Sequence, residues 1–94
     1  FNFGLDYVRA YKAHFDVVYV DADHQAKAVI LDAGLAWQML KVGGVMIFDD
    51  YPWEQPDSSK LPPKIGIDSF LNCWAKELEI VHKAWQVIVI KTRA

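Results

Sequence analysis

Two apolar runs that each end in carboxylates constrain this chain more than any other feature of it. Val17-Val18-Tyr19-Val20 runs into Asp21-Ala22-Asp23-His24, and Val45-Met46-Ile47-Phe48 runs into Asp49-Asp50. A helix-length segment separates them, which is the sequence form of a strand–helix–strand unit. In such a unit the strands are parallel and both carboxyl ends point to the same side. As neighbours they lie roughly 4.8 Å apart. Asp21 and Asp49 then face each other across the crevice where open α/β sheets place their ligands. Carboxylates gathered there repel one another. Unless a cation or a shared proton offsets that repulsion, at least one has a raised pKa.

The remaining segments fit around this unit. Leu5, Val8 and Tyr11 recur at helical spacing over residues 5–13, with Asp6 near the start and Lys12 near the end, a polarity that suits the helix dipole. Residues 16–21 read as a buried parallel strand. From Gln25 to Leu40 the apolar residues repeat at helix period, with Asp23 or His24 in the cap region. Gly43-Gly44 is expected to end that helix and turn the chain into strand 45–49. Tyr51 to Pro63 contains Pro52, Pro56, Pro62 and Pro63 and reads as a loop. A loop of that length after a carboxylate-bearing strand end is usually functional, often a lid. A helix is predicted over 65–78, then strands over 79–82 and 86–91. Their short connection makes those two strands antiparallel.

Composition narrows the class. The chain has 94 residues, 53% of them apolar, and four Trp, which indicates one small globular domain. A net charge of −2 with mixed signs gives no footprint for nucleic acid or an anionic membrane. No apolar run approaches the roughly 20 residues of a membrane span. The single Cys73 suits a reducing compartment, so a cytoplasmic protein is expected. Phe1 opens the chain and a helical pattern soon follows, from which a cut inside a larger protein is expected, with natural processing before Phe1 as the alternative.

The order strand–helix–strand–long loop–helix–hairpin resembles the carboxyl-terminal half of a class I S-adenosylmethionine-dependent methyltransferase. Phe15 to His24 is similar to the "FDxhhhDxDH" segment of a metal-dependent small-molecule O-methyltransferase branch. Asp32 and Trp37 match its following "D…W" helix, Leu40 to Gly44 its "LKxGG" turn, and Val45 to Tyr51 its "hhhhDDY" strand end. Gly66 to Phe70 is similar to its "GVxxAVxxF" helix. The similarity covers roughly residues 15–75, and the terminal hairpin agrees in type. The resemblance implies an α/β, partial Rossmann-like methyltransferase fold over residues 1–94: parallel strands with helices, closed by an antiparallel hairpin. It implies methyl transfer from S-adenosylmethionine to a small-molecule hydroxyl, with Asp21, Asp49 and Asp50 as the metal-binding acids. Oxygen-only ligands suit Mg²⁺, and a bound cation lowers the pKa of an acceptor hydroxyl. Asp23 or His24 is the expected general base. Tyr51 and Trp53, beside the acids, are expected to contact the acceptor.

One departure limits the expectation. The glycine-rich loop that cradles the donor in that family, and the acid that holds its ribose, have no counterpart in these residues. On its own the chain is expected to bind S-adenosylmethionine poorly. The strand at 16–21 is expected to leave an apolar edge, and so to form a homo-oligomer. Two other readings compete. Asp21 and Asp23 also resemble the nucleophile and general acid of haloacid-dehalogenase-like phosphotransferases, although Gln25 stands where that family usually has Thr or Val. A similar Asp-x-Asp occurs in metal-dependent glycosyltransferases, where the Gly-Gly and Asp-Asp-Tyr context fits poorly. The other reading is a non-catalytic assembly module of methyltransferase type. His14, His82, Asp32, Lys60 and Lys64 default to structural or surface roles, and Trp37, Trp74 and Trp85 to core or interface filler.

Overall fold

A computed structural model describes residues 10–21 and 23–94. Strand β1 (Phe15–Val20) leads to helix α1 (Ala26–Met39), then strand β2 (Leu40–Phe48), helix α2 (Pro63–Cys73), a 3₁₀ turn (Ala75–Glu77), and strands β3 (Leu78–Lys83) and β4 (Val87–Lys91). They form a mixed four-stranded sheet in the order β1-β2-β4-β3. β1 and β2 are parallel neighbours, as the strand–helix–strand pattern requires. β4 returns antiparallel against β2, and β3 pairs antiparallel with β4 on the outside. Of the helix predicted over 5–13, Leu5, Asp6 and Val8 lie outside the described residues, and Tyr11–Ala13 form a turn. Among the described residues no helix is long and apolar enough to cross a membrane.

Alternation along the strands sorts the core to one face of the sheet. Val18, Met46 and Val89 stand in one cross-strand row, and Val20, Phe48 and Val87 in the next. These rows pack beneath Ala33, Ala36 and Trp37 of α1 and Ile67 and Phe70 of α2. Phe70 is the hinge of the aromatic packing, meeting Trp37 edge-on at 5.4 Å, Phe48 at 5.3 Å and Trp74 in a stack at 4.5 Å. The alternate residues Val17, Tyr19, Val45, Ile47, Ile88 and Ile90 point to the opposite face, where no described element covers them.

Several boundaries differ from the sequence expectation. α1 ends at Met39 rather than at Gly43-Gly44, and both glycines lie inside β2. Between Phe15↔Leu40 and Val17↔Val45 two residues of β1 advance against five of β2. The extra residues form a bulge, which Gly43 permits at φ +87. The carbonyls at the end of α1 are instead met by Lys91, whose Nζ donates to Trp37 O at 2.8 Å and Leu40 O at 2.9 Å. The cap expected from Asp23 or His24 is absent too. Gln25 is the N-cap residue and no side chain bonds the first-turn amides. α2 starts at Pro63, two residues early, because proline is well placed in a first helical turn where its missing N–H has no partner to lose. It stops at Cys73, before the 3₁₀ turn.

Among the described residues β1 is an edge strand, not a strand buried on both sides. Val17 is 57% exposed and Tyr19 47%, and only Val20 is buried.

Candidate functional site at the strand ends

The strand–helix–strand geometry delivers its three acids to one place. Asp21 follows β1, Asp49 and Asp50 follow β2, and the pairing Val20↔Phe48 makes Asp21 and Asp49 lateral neighbours. One carboxylate oxygen from each of Asp21, Asp49 and Asp50 lies within 4.8 Å of the others. Asp21 is exposed, while Asp49 and Asp50 are half-buried. The space between the strand ends and α2, bounded by Asp21, Asp23, His24, Asp49, Asp50 and Ile67, is about 10 Å³. That is room for roughly one water-sized sphere. Oxygen-only donors at this separation, around a space of that size, fit a hard divalent cation.

Hydrogen bonds hold the two acids of β2 in place. Asp50 accepts from both sides: His24 Nε2 lies 2.7 Å from Oδ2, and Trp85 Nε1 donates to Oδ1 at 3.0 Å. Each oxygen keeps a second lone pair for a ligand. Asp50 also has φ +59, a left-handed conformation that Asp tolerates better than most residues. Asp49 interacts with Tyr19 and Gln86, whose Nε2 donates to its Oδ1 at 3.4 Å. The Tyr19 hydroxyl, bonded to the Asp49 carboxylate, holds that carboxyl below its ordinary 3.8. The same bond raises the Tyr19 phenol.

His24 is fixed on three sides. Its ring stacks on Trp53 with centroids 4.3 Å apart, its Nε2 meets Asp50, and its carbonyl accepts from Gln55 Nε2. With Nε2–H donated to the carboxylate, the Nδ1 lone pair is left to accept a proton. Asp23, the other base expected from sequence, is exposed and accepts from Gln25 Nε2 at 2.8 Å, which holds its carboxyl low. His24 is therefore the better placed of the two, with Asp50 behind it in a carboxylate–imidazole pair.

The two aromatic residues after the acids diverge. Trp53 borders a cavity of about 330 Å³ shared with Pro52, Lys60, Pro62 and Lys64, while its ring rests on His24. Tyr51 donates its hydroxyl to Asp68 Oδ1 at 2.7 Å, with Lys83 Nζ 5.3 Å and Lys64 Nζ 5.6 Å from its ring centroid. Burial, reinforced by the Asp68 bond, pushes its phenol up to about 12. Tyr51 thus ties the strand end to α2.

Tyr19, Trp85 and Gln86 take part in the site without having been picked out from sequence. Of the core or interface role expected for Trp85, the core half does not hold: it is 54% exposed and donates its N–H to Asp50. A signal exists only once the pairing is known. Continuing the β2–β4 register one and two steps beyond Phe48↔Val87 sets Asp49 opposite Gln86 and Asp50 opposite Trp85.

Of the glycines, Gly34 and Gly66 lie within helices and Gly43 and Gly44 in the β2 bulge. None of these sits at a strand-to-helix turn.

The sequence also matches known proteins. Thirty-six residues are 42% identical to part of an uncharacterized protein of Acanthamoeba polyphaga mimivirus, covering 38% of this chain and 16% of that protein. A family model described as a methyltransferase domain matches residues 3–51, just over half of the chain, and so spans β1, α1, β2 and both acids that follow β2. The chain belongs to that methyltransferase-domain family.

Proposed function

We propose that the strand-end site serves methyl transfer to a hydroxyl of a small molecule, assisted by a divalent cation. Family membership supports methyl transfer in general and implies S-adenosylmethionine as donor. The observation that carries the finer reading is the convergence of Asp21, Asp49 and Asp50 within 4.8 Å, with His24 bonded to one of them. A cation of the magnesium class, when bound, supplies positive charge that lowers the pKa of a nearby hydroxyl. The three carboxylates are its ligands. His24 accepts the acceptor's proton at Nδ1, and Asp50 steadies the imidazolium that results. Trp53 fixes the ring of His24 and walls the acceptor's approach from the loop side. The family match gives no support to the Asp-nucleophile phosphotransferase reading.

The test is label transfer from methyl-labelled S-adenosylmethionine to a panel of small phenols and sugars by the full-length protein. Transfer should require a divalent cation and fall about 10²-fold or more in His24→Ala. Transfer untouched by a chelator contradicts the cation's role, and transfer untouched by His24→Ala contradicts the base.

We also propose that copies of the chain associate through β1. The two edges of the sheet differ. β3 carries Glu79, His82 and Lys83 and a bulge between Ile80 and His82, features that discourage edge pairing. β1 has Val17 and Tyr19 exposed along its length.

A further inference from the structure

The turn between β3 and β4 meets the three residues that follow β2. Trp85 Nε1 donates to the Asp50 carboxylate at 3.0 Å, and the Trp85 carbonyl accepts from the Tyr51 N–H at 2.9 Å. Gln86 Nε2 reaches the Asp49 carboxylate at 3.4 Å. The turn is itself closed by Ala84 N–H donating to Gln86 O at 2.9 Å. Three consecutive residues are thus gripped by two, where the antiparallel register has run past its last paired strand residues. Asp50, at the centre of the grip, has φ +59, a sparsely populated region for a non-glycine residue. Burial does not explain Trp85, since more than half of it faces solvent. A large ring kept in water at a turn is better explained by what its N–H does.

We propose that Trp85 is a positioning residue for the strand-end site. Its indole N–H fixes one oxygen of Asp50, so that the second lone pairs of that carboxylate point to where Asp21 and Asp49 converge. His24 fixes the other oxygen, and Gln86 plays the lesser part on Asp49. The hairpin therefore does more than finish the sheet: its turn sets the geometry of acids that lie 35 residues earlier in the chain. The effect on cation affinity rests on the reading of those acids as ligands; the grip on Asp50 does not.

Two readouts separate these parts. The first is the Trp85 indole N–H resonance in ¹⁵N-labelled protein, assigned by its loss in Trp85→Phe. It should move in Asp50→Ala and stay in place in Asp16→Ala, at the other end of β1. The second is Mn²⁺ affinity, read by electron paramagnetic resonance of the free ion. Trp85→Phe keeps a ring and removes the donor, and removing such an outer-shell partner should weaken Mn²⁺ binding about tenfold at unchanged melting temperature. A resonance that ignores Asp50→Ala overturns the proposal, as does a Trp85→Phe protein that binds Mn²⁺ as the wild type does. A wild type that takes up no Mn²⁺, with a resonance that still answers to Asp50→Ala, overturns the cation reading and upholds the grip.

Discussion

Lys91 and Tyr51 show how single side chains hold this small domain together. Lys91 is 6% exposed, and its ammonium sits on the last carbonyls of α1, where a cation also meets the negative end of the helix dipole. Burial pulls its pKa below the ordinary 10.5. Lys91→Met removes the donor from both carbonyls, of which Trp37 O keeps the Leu40 N–H, and should lower stability by about 1–2 kcal/mol in urea unfolding. Tyr51 gives a pH signature. Its folded pKa of about 12 lies above the ordinary 10.0, so the folded state holds the phenolic proton more tightly than the unfolded chain. The stability this contributes is complete below pH 10.0 and is lost as pH rises from there toward about 12. Tyr51→Phe should flatten that alkaline fall, which stability measured against pH in both proteins will show. The acids themselves were legible as residues, because each follows an apolar strand. Tyr19, Trp85 and Gln86 were not, because what brings them to the acids is tertiary pairing and no local pattern encodes it.

At the level of elements, the strand–helix–strand order was legible because periodicity changes cleanly from strand to helix and back. The boundaries were less so. Gly43-Gly44 looked like a helix stop, yet Lys91 caps α1 from the far end of the sequence, which frees the glycines to make a bulge. At φ +87, Gly43→Ala should cost about 1–2 kcal/mol, from the clash of a Cβ in the left-handed region. Gly66 is needed for a different reason. A Cβ there would lie 2.9 Å from the Cα of Ala26, so the glycine sets how closely α2 approaches the start of α1. Gly66→Ala should cost about 1–3 kcal/mol or more, since the obstacle is backbone that cannot rotate away. Because α2 forms one side of the small space between the acids, that variant should also weaken cation binding. Urea unfolding paired with a metal titration reads both effects. The loop at 51–62 was correctly expected to be irregular, and its anchors are specific: Leu61 O accepts from Ala26 N–H at 3.0 Å, and Gln55 donates to the His24 carbonyl.

For the whole molecule, the two helices share one face of the sheet, and the described residues leave the other face and the β1 edge uncovered. If β1 pairs with a second copy, sedimentation velocity should show a mass that rises with concentration, and Val17→Lys, placing a charge on that edge, should return it toward the monomer. A concentration-independent monomer contradicts the association. Under the proposed function, parallel pairing of β1 and β2 brings three acids from two strand ends together to hold a cation. Calorimetric titration with Mn²⁺, on the wild type and on Asp49→Ala, tests it most directly. Saturable binding at one ion per chain is expected, abolished or weakened beyond measurement in Asp49→Ala with the fold intact. No binding to the wild type, or equal binding to both, contradicts it.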